Sequence, residues 1–504
     1  MSKSSDQPGP IRRIVIVGGG TAGWMAAAAI SRFLGGPDRR IVLIESESIG
    51  TVGVGEGTIP PILEFNHSLG IAEPEFLRET KASFKLGIEF VDWTEPGHRY
   101  FHQFGHIGRP LNGISFYQLW LKHRGNRSVG PLSAYSMSAV AAAGNRFAHP
   151  ILDSRSPLSG MAYAYHFDAS LYGAFLRRYA EARGVERVEG RIVAVDRDPE
   201  SGLVTAVRLE DDRAIKGELF VDCSGFRSLL LGDTMGVAFE DWSHWLPCDR
   251  AIAVPSERTE PLLPYTRSTA KPAGWQWRIP LQHRTGNGHV YSSGAMDDEE
   301  AERILVEGLD GKPIAGFNRL KFKAGRRAKA WEGNVVAIGL SAGFLEPLES
   351  TSIHLIQHGI QKLVSLFPDR GFSDVERSEY NRHMVNSYEP VRDFIILHFK
   401  ANRRPGPFWE QVREMTIPDS LQHKIELFRE HGRLFRYNEE LFEIPSWAAV
   451  LIGQDMLPRS HDPLVDALPD EQVLAAMAEL RSTYETAAEQ FPSASQFIER
   501  AIAS

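Results

Sequence analysis

The pattern of apolar and polar positions at the start of the chain predicts a β-α-β unit. A β-branched run at 14–17 precedes three glycines, an alanine-rich stretch at 24–34 and a second β-branched run at 41–44. Short apolar runs between turn residues are typical of buried strands, whereas the longer alanine-rich stretch is typical of a helix. The chain therefore opens like an α/β protein with a parallel sheet.

Strand patterns thin out after Gly371 and give way to helical ones. Further runs with the pattern of strands lie at 191–195, 205–209, 219–221 and 334–338. Segments with helical periodicity lie at 352–367, 421–433 and 471–489. We therefore predict an α/β core over 1–370 and a mainly helical region over 371–504.

The stretch ASFKLGIEFVDW at 82–93 has the alternation of a half-buried strand. Its apolar positions are Phe84, Leu86, Ile88 and Phe90. Since neighbouring side chains of a strand point to opposite faces, this pattern alone places Lys85 on the solvent face. It predicts no special role for the lysine.

Composition limits the classes of protein to which the chain can belong. With 42% hydrophobic and 24% charged residues it is globular, and a net charge of -8 without a Lys/Arg run predicts no nucleic-acid binding. Two cysteines exclude a disulfide framework. The longest apolar run falls short of the roughly 18–20 residues that span a bilayer, and the opening MSKSSDQPGP lacks a signal-peptide core. We expect a cytoplasmic protein without membrane association.

A dinucleotide site is predicted where the first strand meets the first helix. The motif GxGxxG is formed by Gly18, Gly19, Gly20, Thr21, Ala22 and Gly23. The glycines allow a tight turn, close approach of a pyrophosphate and close helix–strand packing, and Glu45 ends the second strand where it can bind a ribose hydroxyl. The alternative is a merely tight β-α turn.

The same motif serves NAD and FAD, and two features favour FAD. No second GxGxxG follows a strand, so the chain has no separate nicotinamide domain. The segment NVVAIGLSAGF at 334–344 has the strand-then-small-residue pattern with which FAD proteins approach the flavin ring.

Five segments together resemble the flavin-dependent tryptophan halogenases. They are GGGTAGW at 18–24, VGVGEGTIP at 52–60, FKLGIEFVDW at 84–93, GWQWRIP at 274–280 and EPLESTS at 346–352. Their order and spacing agree over about residues 11–455, and WxWxIP is the most specific of them. The resemblance implies a Rossmann-like FAD-binding core of the flavin monooxygenase type, with inserted substrate-side segments around 84–150 and 235–330. The helical region would complete the substrate pocket.

The resemblance implies that reduced flavin, oxygen and halide form hypohalous acid, and it gives two residues catalytic roles. Lys85 matches the family's catalytic lysine, which would deliver the halogen either as an ammonium hydrogen-bonded to the acid or as an N-haloamine. We expect such a lysine to be desolvated, with a lowered pKa. Glu349 matches the carboxylate that stabilises the ring cation and accepts its proton. Glu346 is the competing candidate.

A halide site is predicted at the start of the helix at 352–367. The free amides of Thr351 and Ser352 would face an anion, with the helix dipole behind them. The alternative is a set of hydroxyl residues that cap the helix. The family usually has glycine where this chain has Ser352, so the preference between chloride and bromide stays open.

Aromatic residues are predicted to line the route to the substrate. Trp275 and Trp277 are two apart and would share a strand face, where the family keeps organic substrate away from the oxygen-activated flavin. His102, Phe104 and Trp447 are candidate walls of the aromatic pocket. Ordinary core aromatics and a structural histidine are the alternatives.

Further flavin contacts are implied by the resemblance outside the glycine motif. These residues are Ser46, Ile49, Val52, Gly55, Gly57, Val188, Leu340 and Ile353.

Substrate choice is predicted from the segment IPSWAAVLIG at 444–453. It lacks the tyrosine pair with which free-tryptophan enzymes hold the amino acid, so we expect indole or a simple indole derivative to be the better substrate. Without an NAD(P)H site, FADH2 must come from a separate flavin reductase. The oligomeric state is left open between a monomer and a homodimer. The rival functions are an aromatic hydroxylase of the same fold and a non-catalytic FAD-binding protein.

Overall fold

Strands dominate the first two thirds of the chain in a computed structural model, which describes residues 9–47 and 55–503. Within those residues the strands are β1 (Arg13–Val17), β2 (Arg40–Glu45), β3 (Gly55–Gly57), β4 (Ser83–Lys85), β5 (Gly87–Val91), β6 (Arg99–Gln103), β7 (Ala164–Asp168), β8 (Glu186–Glu189), β9 (Ile192–Arg197), β10 (Val204–Leu209), β11 (Ala214–Lys216), β12 (Leu219–Asp222), β13 (Phe239–Asp241), β14 (Arg250–Ser256), β15 (Thr266–Lys271), β16 (Gly274–Pro280), β17 (Thr285–Tyr291), β18 (Asn318–Lys321), β19 (Gly325–Arg327), β20 (Trp331–Glu332), β21 (Val335–Ala337) and β22 (Gly343–Phe344).

Helices surround these strands and form the last part of the chain. They are α1 (Thr21–Leu34), α2 (Pro61–Leu69), α3 (Glu73–Thr80), α4 (Phe116–His123), α5 (Met137–Ala143), α6 (Ala169–Glu181), α7 (Asp298–Glu307), α8 (Ser352–Ser365), α9 (Asp374–Lys400), α10 (Pro407–Glu414), α11 (Asp419–His431), α12 (Ile444–Gly453), α13 (Asp470–Glu489) and α14 (Ala494–Ala503). Two short 3-10 turns, Gly339–Ser341 and Pro347–Glu349, precede α8.

The central sheet has six strands in the order β20-β21-β12-β1-β2-β8, parallel from β21 to β8. The apolar residues of β1 and β2 are buried because α1, packed against α6 and α8, belongs to the helical cover of the sheet. Strands covered on both faces are continuously apolar, as the two β-branched runs are. The predicted β-α-β unit is confirmed, and its glycine turn lies at the carboxyl edge of the sheet, where α/β proteins bind ligands.

Two further sheets carry the residues that follow the first unit. A mixed seven-stranded sheet has the order β18-β14-β17-β16-β15-β5-β6, and a small antiparallel sheet has the order β3-β7-β4. The single strand predicted over 84–91 is wrong. The chain leaves the small sheet at Leu86, whose amide donates to the carbonyl oxygen of Pro264, and β4 and β5 belong to different sheets.

Beyond residue 371 the elements of the described chain are all helical, as the sequence predicts. α9 carries a fully buried apolar run near its end, and α12 packs against both α9 and β6. The division into two domains at residue 370 stays a prediction. None of the helices in the described residues has the length and apolar character needed to cross a membrane.

Candidate active site

The glycine turn between β1 and α1 has the geometry of a phosphate site. Gly18 has a φ of 110°, and a Cβ there would lie 2.2 Å from the carbonyl oxygen of Cys223, so only glycine fits. A Cβ at Gly23 would lie 1.8 Å from the carbonyl oxygen of Gly18, as expected where helix and strand pack closely. Around Gly20 the Cβ position has no atom within 4 Å, and among the described residues no side chain caps α1. The first amides of α1 are therefore open to an anion.

Glu45 lies beside this turn at the end of β2. Its Oε2 accepts a hydrogen bond from Trp24 Nε1 at 3.3 Å, and its Oε1 pairs with Arg187 on β8. A Cβ at Gly19 would collide with Glu45, because it would lie 1.6 Å from Oε2. Arg187, which the sequence pattern did not reveal, thus holds the carboxylate predicted to bind ribose.

The remaining predicted flavin contacts lie on several elements of the described chain. A Cβ at Gly339 would lie 2.8 Å from that of Ala22, so the turn after β21 closes on the start of α1. Thr21 begins α1, Ser46 follows β2, Val188 lies in β8, Gly55 and Gly57 lie in β3, Leu340 lies in the turn after β21 and Ile353 lies in the first turn of α8. Ile49 and Val52 lie outside the described residues. An open helix start beside a fixed carboxylate fits an adenine dinucleotide such as FAD.

Lys85 is fully buried, so the solvent-facing position predicted from strand alternation is wrong. Its Nζ donates to Ser350 Oγ at 2.8 Å and lies 5.3 Å from the centroid of the Phe104 ring. Burial lowers the pKa of Lys85 to about 7, against the opposing effect of the Glu349 charge. The expected lowering of the pKa is confirmed, and both protonation states of the amine are accessible near neutral pH.

Gly57 lies against this amine. A Cβ at Gly57 would lie 2.7 Å from Ser350 Oγ and 3.3 Å from Lys85 Nζ, so the absence of a side chain leaves room for the contact between them. The small β3-β7-β4 sheet thus joins a predicted flavin contact to the predicted catalytic lysine.

Glu349 is a buried carboxylate between two histidines. His102 Nδ1 lies 2.9 and 3.1 Å from its two oxygens, and His398 Nε2 lies 2.7 Å from Oε1. Burial by itself would raise the pKa of Glu349, but the electrostatic interactions with His102 and His398 outweigh burial and lower it to about 2. Glu349 is therefore ionised throughout the neutral pH range.

Glu346 is equally buried but has a different environment. Its Oε2 accepts a hydrogen bond from Trp275 Nε1 at 2.7 Å, and its Oε1 has no partner among the described residues. Burial raises the pKa of Glu346 to about 8, although the Trp275 hydrogen bond acts in the opposite direction. Glu346 is therefore mostly neutral at pH 7 and is a weak stabiliser of positive charge.

Among the described residues no hydroxyl group caps the start of α8, which was the alternative to a halide site. Thr351 is the N-cap residue, but its hydroxyl has no partner in the described part of the chain, and the Ser350 hydroxyl accepts from Lys85 instead. Ser352 begins the helix and is partly exposed. The first amides of a helix have no partner within it, and the helix dipole favours an anion beside them.

Trp275 and Trp277 lie on one strand, β16, as predicted. Both are buried, with ring centroids 6.1 Å apart, and the ring of Trp277 covers Gly288 on the adjacent strand β17. Through its indole N–H, Trp275 also contacts the Glu346 carboxyl, so this strand borders the loop that carries both candidate carboxylates.

His102 joins an aromatic cluster that includes Trp447. The His102 ring lies 5.5 Å from that of Phe394, which stacks on Phe442 at 3.8 Å and meets Trp447 edge-on at 4.9 Å. The cluster brings together β6, α9 and α12. It places two of the predicted pocket residues, His102 and Trp447, on either side of Phe394.

A buried ion pair that the sequence did not reveal lies behind Trp447. Lys424 Nζ donates to Glu440 Oε2 at 2.6 Å, and both side chains are only 7% exposed. The same ammonium lies 4.1 Å from the centroid of the Trp447 ring. Because the two charges neutralise each other, they add no net charge to the aromatic cluster.

Three further residues near Glu349 were missed from the sequence. Tyr100 Oη lies 3.0 Å from His398 Nδ1, and Gln454 Nε2 donates to Tyr100 Oη at 3.1 Å. Tyr100 lies on β6, His398 lies on α9 and Gln454 follows α12, so only the tertiary structure brings the three residues together. The sequence did contain one indication of this group: His398 lies within the apolar run FIILHF. A histidine in such a run is expected to be buried, and a buried imidazole requires a polar partner.

Together, these features combine a dinucleotide site with a buried amine next to an ionised carboxylate. A desolvated amine can hold or carry an electrophile, and a fixed carboxylate can stabilise a cation and accept a proton. The fold and the site define an α/β oxidoreductase that binds an adenine dinucleotide and performs electrophilic chemistry in a closed site.

Known proteins identify the family. The family model for tryptophan halogenases matches residues 13–470. BrvH, a flavin-dependent halogenase from Brevundimonas sp. BAL3, is 46% identical with a TM-score of 0.94, over 97% of this chain and 99% of that one. Xcc4156, a flavin-dependent halogenase from Xanthomonas campestris, is 45% identical with a TM-score of 0.94, over 98% of both chains. Tryptophan 6-halogenase SttH from Streptomyces toxytricini is 36% identical, over 88% of this chain and 89% of the relative.

The chain belongs to the tryptophan halogenase family and is a flavin-dependent halogenase. The resemblance stated from the sequence and the fold class that it implied are confirmed. The alternative of an aromatic hydroxylase is not favoured.

Proposed function

We propose that this halogenase forms hypohalous acid from FADH2, O2 and halide, and that Lys85 and Glu349 direct the halogen onto an electron-rich arene. The observation that carries the proposal is a fully buried lysine of lowered pKa beside an ionised, buried carboxylate. When bound, FADH2 supplies two electrons and the halide two, which reduce O2 to water and the oxygen of hypohalous acid.

Lys85 would receive the hypohalous acid at Nζ. As an ammonium it donates a hydrogen bond that polarises the acid; as an amine it exchanges one N–H hydrogen for halogen and releases water. A pKa of about 7 supports either route. In both, burial keeps water and other nucleophiles away from the electrophile.

Glu349 would act on the arene after the halogen is transferred. The ring becomes positively charged when the carbon–halogen bond forms, and an ionised carboxylate stabilises that charge and accepts the ring proton. The lowered pKa of Glu349 supports this role, whereas the raised pKa of Glu346 makes it the weaker candidate.

The residues present fit a bound flavin and halide. The open amides at Gly20 and the fixed Glu45 would hold the dinucleotide, and the amides of Thr351 and Ser352 at the start of α8 would hold the halide. Trp275 and its neighbour Trp277 would separate the organic substrate from the flavin.

The substrate would be indole or a simple neutral derivative of it. The segment that forms α12 has no tyrosine pair, and the charged groups nearest Trp447 are already paired with each other. A zwitterion would find no free charge there among the described residues, whereas a neutral indole needs only the aromatic surface. A higher kcat/KM for tryptophan than for indole, measured with the same enzyme preparation, would contradict this assignment.

The function is tested by mass spectrometry of an indole reaction that contains FAD, NADH, halide and a purified flavin reductase. We expect halogenated indole with the isotope pattern of the added halide. Product that gains one oxygen whether or not halide is present would instead support hydroxylation. Omission of the reductase should stop turnover, because we propose that a separate reductase supplies FADH2; undiminished turnover would refute that part.

A further inference from the structure

We propose that His398 is a positioning residue that holds Glu349 in place and ionised, and that Tyr100 and Gln454 set the tautomer of His398. This inference rests on the proposed catalytic role of Glu349. His398 is not offered as a group that touches substrate, because it lies in the protein interior behind the carboxylate.

The direction of each hydrogen bond follows from the donors available. Gln454 Nε2 can only donate, and it donates to Tyr100 Oη at 3.1 Å and to the carbonyl oxygen of His398 at 3.2 Å. The single hydroxyl proton of Tyr100 is therefore free to point at His398 Nδ1, 3.0 Å away. Burial raises the pKa of Tyr100, so the phenol keeps this proton.

An imidazole whose Nδ1 accepts a hydrogen bond carries its own proton on Nε2. Nε2 is the atom that lies 2.7 Å from Glu349 Oε1. The distance between Nε2 and Oε1 is short, but the N–H bond does not point straight at the oxygen. The effect of His398 on the carboxylate is therefore mainly electrostatic. Burial lowers the pKa of His398, against the effect of Glu349, so a neutral ring presents its N–H dipole to the charge.

The two histidines are placed differently around Glu349. Both rings contact Phe394, His102 at 5.5 Å and His398 edge-on at 5.4 Å, but His398 also stacks on Phe90 at 4.6 Å and meets Trp93 edge-on at 5.8 Å. His398 is 0% exposed and is thus fixed on an aromatic floor. Such a floor limits rotation of the ring and so fixes where Nε2 lies.

Four titratable groups face Glu349 from the elements packed around it. Lys85 faces it from β4, Tyr100 and His102 face it from β6, and His398 faces it from α9. His398 and His102 counter the desolvation of the carboxylate. Without the N–H of His398, less opposes the desolvation of the carboxylate, and the pKa of Glu349 rises. Once protonated, Glu349 can no longer accept the ring proton.

The first test compares His398→Phe and Tyr100→Phe with the wild-type enzyme. A matched control is Tyr172→Phe, which removes another buried hydroxyl, bonded to Asn66 Oδ1 at 2.8 Å. Because the pKa of Glu349 is about 2, the acidic limb of kcat that belongs to this carboxylate lies far below neutral pH in the wild type. In His398→Phe desolvation should move that limb upward by about two pH units or more, into the range where kcat can be measured, and Tyr100→Phe should move it less. Hypohalous acid formation, measured with a chemical trap, should stay within about twofold of wild type in both variants.

An acidic limb at the wild-type position in both variants would overturn the inference, even if kcat fell at every pH. A purely structural role predicts that uniform fall, and it would also lower kcat in Tyr172→Phe. The proposed role predicts a moved limb, with Tyr172→Phe unchanged.

A second measurement covers the case in which His398→Phe does not fold. Histidine 15N shifts of the flavin-free protein, assigned by difference with Tyr100→Phe, should show His398 neutral with its proton on Nε2. A protonated Nδ1 or an imidazolium at pH 7 would overturn the inference. Glu349→Gln distinguishes a failure of the proposed function from a failure of this inference. If Glu349→Gln halogenates like wild type, the proposed role of Glu349 fails. If it is inactive while His398→Phe keeps the wild-type pH profile, only the role of His398 fails.

Discussion

Replacing Lys85 by Met should make the protein more stable while it abolishes halogenation. Methionine has a similar length and no charge, so it fills the same space without a desolvated amine. The pKa of Lys85 is about 7 in the folded protein and 10.5 for an ordinary lysine. Between these values the unfolded chain binds a proton that the folded chain does not bind, and therefore the free energy of unfolding rises with pH in this window.

The size of the effect follows from that difference of 3.5 pH units. At about 1.4 kcal/mol for each unit, the buried ammonium costs the fold at most about 5 kcal/mol below pH 7, where both states bind the proton. That value already includes the attraction to Glu349. The mutation also removes the hydrogen bond to Ser350, worth about 1 kcal/mol, and leaves the buried Ser350 hydroxyl without its donor, which costs roughly 1–3 kcal/mol. We expect a net gain of about 2 kcal/mol at pH 6, shrinking as the pH rises from 7 towards 10.5.

The assay is the denaturant midpoint or melting temperature of wild type and Lys85→Met from pH 6 to pH 9. Lys216→Met, at an exposed position of β11, is the matched control and should leave the stability difference near zero at every pH. Glu346 contributes an opposite slope between its ordinary pKa of 4.5 and its raised value of about 8, but it does so in both proteins and cancels. A Lys85→Met protein less stable than wild type at pH 6, or a difference independent of pH, would refute the reasoning.

Three other substitutions probe the same site. Glu349→Gln should lower kcat for halogenation about 10²–10⁴-fold while trapped hypohalous acid still forms, because only the base is lost; equal losses of both would contradict this. Glu346→Gln should change kcat less than about threefold at pH 7, because that carboxyl is already mostly neutral there. Gly57→Ala should lower halogenation about tenfold while hypohalous acid still forms. The reason is that the new Cβ would lie 2.7 Å from Ser350 Oγ and displace this hydroxyl from Lys85. An unchanged ratio of halogenated product to trapped hypohalous acid would argue against the importance of that contact.

The parts of the fold that were predictable depend on contacts between neighbours in the chain. The β-α-β unit, the helix that begins at the last residue of EPLESTS and the strand that carries Trp275 and Trp277 each have a periodicity and a turn residue within about ten positions. The dinucleotide site was predictable for the same reason, since β1, α1 and Glu45 at the end of β2 are consecutive.

The environment of the predicted site residues was not predictable, because distant segments create it. Lys85 shares its alternation with β5 but belongs to β4, where it pairs with Ala164 of β7 in a different sheet. His398 meets Glu349 only because the end of α9 lies beside the loop that carries this carboxylate. A single sequence does not show which distant segments meet. The candidate residues could therefore be predicted from the sequence, but their charge states could not.

The three buried titratable groups of the site show why partners, and not burial, decide what each group can do. Lys85 has one neutral hydroxyl partner, so burial prevails and its pKa falls to about 7. Glu346 has one indole N–H, so burial prevails again and its pKa rises to about 8. Glu349 has two imidazoles, so burial is outweighed and its pKa is about 2. Glu346 and Glu349 are three residues apart in the same buried loop. Their positions in the sequence therefore could not predict which carboxyl group is neutral and which is ionised. The histidines separate them, and a base beside Lys85 therefore requires both β6 and α9 to pack against this loop.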